Sequence, residues 1–401
     1  MKGMFFTTLL AFTIPFCSTN AGQLLQELSR EAVSDNQTES AAAIAALRGA
    51  GPAGLQVLLD THPAIIQRKR ARPSLDDVEW QRVSAALDAV ARQKDSWASG
   101  LYWFTDFERA KAEARASGKP ILSLRLLGNL DEEFSCANSR FFRTELYPNT
   151  DVARVLRDHF VLYWQSVRPV PRVTIDFGDG RVLQRTITGN SIHYVLDAEG
   201  RIIDALPGLY GPKAFLAALG AAEQAALDLA KLDGPARDKF LREYHTECLA
   251  EIDRSCRDDA DKLGIKAVDP AQWDDVTWKR IAALDSETVK LDMASVLLMG
   301  VKMPNAVNAG RISVSKMAVE TPLLRAVRAF DKSVAEDTVR NEYMLHRTIH
   351  GWLANDKPAG SADVFNQRVY AELFLSPLSD PWLGLAPQDA YSALAGGGVT
   401  R

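Results

Sequence analysis

The run Gly118-Lys119-Pro120-Ile121-Leu122-Ser123-Leu124-Arg125-Leu126-Leu127, followed by Phe134-Ser135-Cys136-Ala137-Asn138-Ser139-Arg140, decides how the chain is read. Upstream, Trp103, Phe107, Ala110 and Ala114 mark an amphipathic helix, and Ser117-Gly118-Lys119-Pro120 supplies the residues that end one. Residues 121–127 then read as a buried strand, and a helix is expected from about Cys136 to Leu146, broken by Pro148. A cysteine at such a loop-to-helix junction meets unpaired backbone N–H groups and the positive end of the helix dipole, both of which favour thiolate.

Outward from this run, residues 152–158 read as a short helix, 160–164 as a strand, and Gly178-Asp179-Gly180 as the turn of a hairpin. Strands at 192–196 and 201–206 flank a turn at Ala198-Glu199-Gly200, and a long helix starts at Pro212. Strand, helix, strand, hairpin and closing helix make a mixed α/β layer fold with one core. The flanks read differently. Residues from Gln23 to about Ser96 are helical, with 42–47 and 55–59 suiting one helical hairpin, a basic loop at Gln67-Arg68-Lys69-Arg70-Ala71-Arg72-Pro73, and a helix over 78–94. After Asp233-Gly234-Pro235 the pattern is helical almost to the loose tail at Ala395-Gly396-Gly397-Gly398, with faces such as Leu323, Val327, Phe330 and Val334. The expected division is a leader over 1–21, a helical region over 22–96, an α/β domain over 97–231 and a helical domain over 232–401.

The central segment resembles the thioredoxin-like superfamily. The resemblance rests on Trp103…Ala110…Ala114…Gly118-Lys119-Pro120-Ile121-Leu122, on Cys136 at the expected helix start, on Asp151-Val152-Ala153-Arg154-Val155-Leu156 with Phe160-Val161-Leu162, and on Tyr194-Val195-Leu196-Asp197-Ala198-Glu199-Gly200-Arg201. It covers about a third of the chain and implies an α/β (thioredoxin-like) domain flanked by all-α regions. Two departures qualify what it implies about activity. Ser139 stands where the family has its second cysteine, so the motif is Cys-x-x-Ser, and a dithiol cycle lacks its resolving thiol. Asn190-Ser191 stands where the family has its cis-proline beside the substrate. The resemblance therefore implies, for an enzyme, a single-cysteine thiol-disulfide oxidoreductase with Cys136 and Ser139 catalytic, Asn190 and Ser191 substrate-binding, and a protein thiol or small thiol as partner. A non-catalytic binding scaffold on the same core stays open beside it.

Three further features carry chemistry. Cys248 and Cys256 lie eight apart in helical text, so on one unbroken helix they would be ~12 Å apart and would pair only if the chain turns between them; an oxidising compartment favours that pairing. Glu342, His346 and His350 sit at successive i, i+4 steps, a spacing able to chelate zinc or copper. Because successive steps drift round the helix, the expected site is His346 and His350 with a ligand from elsewhere, such as Asp337, Asp380 or water. The alternative is a polar packing stripe. Asp176-Phe177-Gly178-Asp179-Gly180 reads as a hairpin turn rather than a calcium loop, and Ser313-Val314-Ser315-Lys316 lacks the companions of a penicillin-recognising site. The aromatic stretch from Val369 to Leu385 reads as a strap that buries Phe374 and Trp382.

Composition bounds the rest. A chain of 401 residues with 47% apolar residues, 24% charged residues and a net charge of −4 is that of an ordinary folded protein, and no basic excess points to nucleic acid. Lys2, the short apolar run from Met4 to Phe16, and the small residues of Thr19-Asn20-Ala21 read as a signal peptide, giving a mature start at Gly22 and an extracytoplasmic, periplasmic or secreted protein. Phe16 before Cys17 argues against a lipid anchor. No membrane span is expected after cleavage.

Overall fold

The structure, a computed structural model, describes residues 18–187, 189–266, 269–284, 298, 329–355, 361–383 and 393. Helices α1 (Ser18–Glu31), α2 (Gln37–Gly49), α3 (Pro52–Thr61), α4 (Pro63–Ala71) and α5 (Val78–Ala91) form the N-terminal layer. Asn36 and Asp77 cap α2 and α5 by accepting backbone N–H groups, and prolines open α3 and α4, as first-turn geometry allows. The basic loop expected over 67–73 is a correction: Arg68, Lys69 and Arg70 lie on α4, which Pro63 initiates, and Lys69 is buried with its ammonium donating to the Leu75 carbonyl at 2.7 Å. The expected cleavage point falls within the first turns of α1.

After the short turn of helix α6 (Ser96–Ser99) and α7 (Phe107–Ser117), β1 (Ile121–Leu127) enters the sheet. Helix α8 (Ala137–Phe141) continues through a π-helical stretch, Phe142–Leu146, to α9 (Thr150–His159) and β2 (Val161–Arg168). An exposed hairpin of β3 (Arg172–Asp176) and β4 (Val182–Thr186) turns at the expected Gly178–Gly180. Then come β5 (Ser191–Leu196), β6 (Ile202–Pro207) and α10 (Pro212–Leu229).

The four-stranded sheet has the order β2-β1-β5-β6. β1 runs parallel to β2, with Ile121 beside Val161, and antiparallel to β5, with Ile121 beside Leu196; β6 returns antiparallel to β5. β1, β5 and β6 are buried at every position, which explains why they read as apolar runs rather than as alternating strands. Leu122, Leu124 and Leu126 pack with Phe142, Leu156, Phe215 and Leu219. Ile121, Tyr194 and Leu196 pack with Leu47, Leu58, Val83, Leu87 and Ala114. These cores run past the expected limits at 96 and 231, since Val334 and Tyr370 join the first and Ile349 and Phe365 the second. The β5–β6 turn needs Gly200, whose φ is +88° and where a Cβ would stand 2.8 Å from the Phe107 ring.

The C-terminal layer contains the 29-residue α11 (Gly234–Lys262), α12 (Asp275–Leu284), a helical stretch over 329–340 that passes into a π-helical turn at Asn341–His346, α13 (Arg347–Asn355) and α14 (Ala362–Arg368). Beyond α14, Tyr370 and Leu383 are buried, whereas Trp382, expected to be buried, is half exposed. The strap is held through backbone: Arg168 donates to the carbonyls of Asp380 at 2.6 Å and Pro381 at 3.1 Å. The Ser313–Lys316 motif, Leu323, Val327 and the glycine tail lie outside the described residues.

Candidate functional site

Cys136 caps α8 with extended backbone, its sulfur accepting the Ser139 N–H at 3.4 Å. The Ser139 hydroxyl donates to the Cys136 carbonyl at 3.0 Å. Across from this turn lies the loop expected to face it: Asn138 Nδ2 donates to Ser191 Oγ at 3.0 Å. The loop is also tied to the strap, because Asn190 Nδ2 donates to Ser376 Oγ at 2.8 Å and the Tyr370 hydroxyl donates to the Asn190 carbonyl at 3.0 Å. The Cys136–Ser139 turn thus meets Ser191 through Asn138, while Asn190 is bonded to the strap. The thiol, however, is fully buried, and burial pushes its pKa up by more than the Ser139 N–H and the other nearby donors bring it down. Near it, the buried Tyr147 hydroxyl and His193 Nε2 lie 2.8 Å apart, and burial alone lowers His193 to about 3.

A second constellation lies where the last strand of the sheet meets the C-terminal helices. Asp204 on β6, His245 on α11 and His350 on α13 are all buried, and one ligand atom from each lies within 4.8 Å of the others. His245 Nδ1 and His350 Nδ1 are 2.9 Å apart. Two nitrogens bound to one tetrahedral ion at ~2.0–2.1 Å stand about 3.3 Å apart, so ring shifts of a few tenths of an ångström convert the contact into ligation. Asp204 accepts the Tyr244 hydroxyl at 2.6 Å and the Ala205 N–H at 2.7 Å. Such supporting bonds orient a ligating carboxylate. This buried Asp/His/His group could hold a metal ion.

His346, the other expected ligand, is not one of the three, although its ring centroid lies 4.1 Å from that of His350. Its Nδ1 lies 3.0 Å from Glu342 Oε2 and its Nε2 3.4 Å from Asp204 Oδ1. Burial opposes a charge on this ring, but Glu342 and Asp204 outweigh it and raise His346 to about 10. Burial would raise Asp204; the hydrogen bond and positive charge of His346 instead hold its carboxyl well below the usual range. The positive charge among the histidines sits on His346, because burial keeps His350 and His245 neutral, at about 3 and about 4. The π-helical turn at Asn341–His346 winds fewer degrees per residue than an α-helix and offsets the drift expected between Glu342 and His350.

No protein-family model, curated protein or solved structure matches this chain. The carboxylate grouped with His350 is that of Asp204, not of Asp337 or Asp380, and Asp204 and His245 are the residues of the group that sequence reading missed. A signal for the first was present: Asp204 interrupts the apolar strand Ile202-Ile203-Asp204-Ala205-Leu206. His245 offered only a lone imidazole on a long helix. The Cys248–Cys256 pair is a further correction. Helix α11 is unbroken from Gly234 to Lys262, the rise between the two carries them beyond disulfide reach, and both are free thiols.

Proposed function

We propose that this chain is an exported metal-binding protein in which a thioredoxin-like core serves as the platform for a buried Asp204/His245/His350 site. The observation that carries the reading is the convergence of three buried ligand groups from a strand and two helices far apart in sequence. Imidazole-rich ligation with one carboxylate suits zinc or copper. Because all three side chains are buried, the ion acts structurally, tying the edge strand β6 to α11 and α13, and its binding free energy adds to that of folding.

The thioredoxin-like part of the reading is supported by connectivity. β1 leads through a helical crossover to a parallel β2, and β5, β6 and α10 follow in the expected order. The chemistry of Cys136 argues for a platform rather than an exchange centre: the thiol is buried, its pKa is raised, and Ser139 supplies no resolving sulfur.

Metal analysis of full-length protein purified without a His tag tests the proposal. One equivalent of zinc or copper per chain is expected, with none in a His245→Ala/His350→Ala variant that keeps its far-ultraviolet circular dichroism. Equal substoichiometric metal in both proteins would return the histidines to packing.

A further inference from the structure

The hairpin of β3 and β4 stands outside the four-stranded sheet, and among the described residues its strands pair only with each other. Ile175, Phe177 and Val182 on it are exposed. A lone hairpin is marginal in water, and an unpaired strand edge is a template for a further strand. This hairpin is anchored at its root: the Thr186 hydroxyl donates to the Ser135 carbonyl at 3.1 Å, and Arg172 lies 3.7 Å from Glu132 and over the Phe134 ring. Which groups face outward follows from the ladder. Phe177 donates its N–H to the Arg181 carbonyl at 3.1 Å and Ile187 donates to the Pro171 carbonyl at 3.3 Å, so residues 171, 173, 175 and 177 turn their backbone N–H and C=O toward β4. Arg172, Thr174 and Asp176 turn theirs away from it, and these three make no backbone–backbone bond among the described residues.

The strand Arg172-Val173-Thr174-Ile175-Asp176 is self-complementary. When two copies of it run antiparallel about a two-fold axis at Thr174, Arg172 of each copy opposes Asp176 of the other, Val173 opposes Ile175, and Thr174 opposes Thr174. The three outward residues then fall on hydrogen-bonded positions, so their N–H and C=O groups meet, while Val173 and Ile175 fall on the non-bonded positions where side chains approach more closely. Opposite charges and β-branched pairs across strands both favour this register. We propose that β3 is a homodimerisation edge, on which a second copy of this chain adds its own β3 to give an intermolecular sheet of order β4-β3-β3-β4. Val173 and Ile175 of both copies then join Leu183, which already lies opposite Ile175, in one apolar stripe. Asp176 accepts the Gly178 N–H through Oδ1 at 2.8 Å, leaving Oδ2 for Arg172 of the second copy. The other edge of the hairpin offers no such match. Pivoted on Gln184, β4 would set Leu183 against Arg185 and Val182 against Thr186, and Thr186 is buried.

Sedimentation velocity on the full chain at low ionic strength, across a range of concentrations, tests this. The wild type is expected to show a reversible monomer–dimer equilibrium. Arg172→Asp places two acids opposite two acids, and Asp176→Arg places two arginines opposite two arginines. Each variant alone is expected to raise the dimer dissociation constant at least about tenfold. Mixed in equal amounts, the two variants set acid against arginine at both ends of the pairing, and dimer is expected to return. That rescue separates pairing from damage to the hairpin, because a misfolded variant has nothing to restore. Thr174→Pro removes the central outward N–H at an edge position that tolerates proline, and is expected to weaken the dimer in the same way. A wild type that stays monomeric at every concentration would overturn the proposal and leave the edge to a strand of another protein. A dimer that survives all three substitutions would place the interface elsewhere, and a mixture that stays monomeric would overturn the pairing of Arg172 with Asp176.

Discussion

Single residues show how strongly burial governs the chemistry of this chain. Cys136 has the local setting that favours thiolate, yet removal from water outweighs it, so its reactivity is set by its surroundings. A brief exposure of the native protein to limiting iodoacetamide, read by mass spectrometry, is expected to label the partly buried Cys248 before Cys136, with Cys136 reacting faster only after denaturation. His193 gives a prediction in pH. Its folded-state pKa is lowered by burial to about 3, so its contribution to stability is present above the unfolded value of 6.5 and is lost as pH falls from there toward 3. The slope is ~1.4 kcal/mol per pH unit over that window. Urea midpoints measured from pH 7 to 4 are expected to fall less steeply, by about this amount, in His193→Gln than in the wild type.

Elements are joined by a few buried polar anchors between otherwise apolar faces. Arg143, on the π-helical stretch after α8, is buried and donates to Asp95 at 2.8 Å and to the Glu133 carbonyl at 2.8 Å. Asp95 itself has φ +60°, a left-handed conformation that a non-glycine residue adopts under constraint. This pair links the segment before α6 to the helix that carries Cys136. Arg143→Ala would leave Asp95 without its main counterion in a buried site, and a loss of ~3–5 kcal/mol is expected from chemical denaturation. Arg143→Met, which retains much of the volume, is expected to lose less than Arg143→Ala.

At the scale of the molecule, the sheet and the C-terminal helices form a continuous body whose polar joint is the Asp204/His245/His350 group. An ion bound there stabilises only the folded chain, so the melting temperature is expected to rise with free zinc, by a stability increment of about 2.7 kcal/mol at a hundredfold excess over the dissociation constant. A chelator is expected to reverse the rise. The His245→Ala/His350→Ala variant should melt at one temperature with or without zinc, and a zinc response in it would count against this joint as the binding site. Among the described residues no helix is long and apolar enough to cross a membrane.

Local pattern determined much of this protein. The apolar runs at 121–127, 192–196 and 201–206, the glycine turns at 178–180 and 200, and Pro212 at a helix start each act over a few residues, and each element formed within a residue of where its own text called for it. The hydrogen bond between Asn138, two residues after Cys136, and Ser191 lies where the resemblance set the Asn190-Ser191 loop. In the basic segment at 67–73, Arg68, Arg70 and Arg72 are exposed as charge dictates, but the loop reading failed because Pro63 had already started a helix, whose inner face takes Lys69. The Asp204/His245/His350 group needed the tertiary structure. His346 and His350 are adjacent on one helix, and spacing alone gave them equal standing. Only packing separated them, turning His350 toward His245 and fixing His346 between Glu342 and Asp204. Asp204 and His245 are 41 positions apart in sequence. No periodicity links such residues, because their proximity follows from where β6, α11 and α13 bury their apolar faces, and the carboxylates that this packing sets beside His346 decide that it carries the charge.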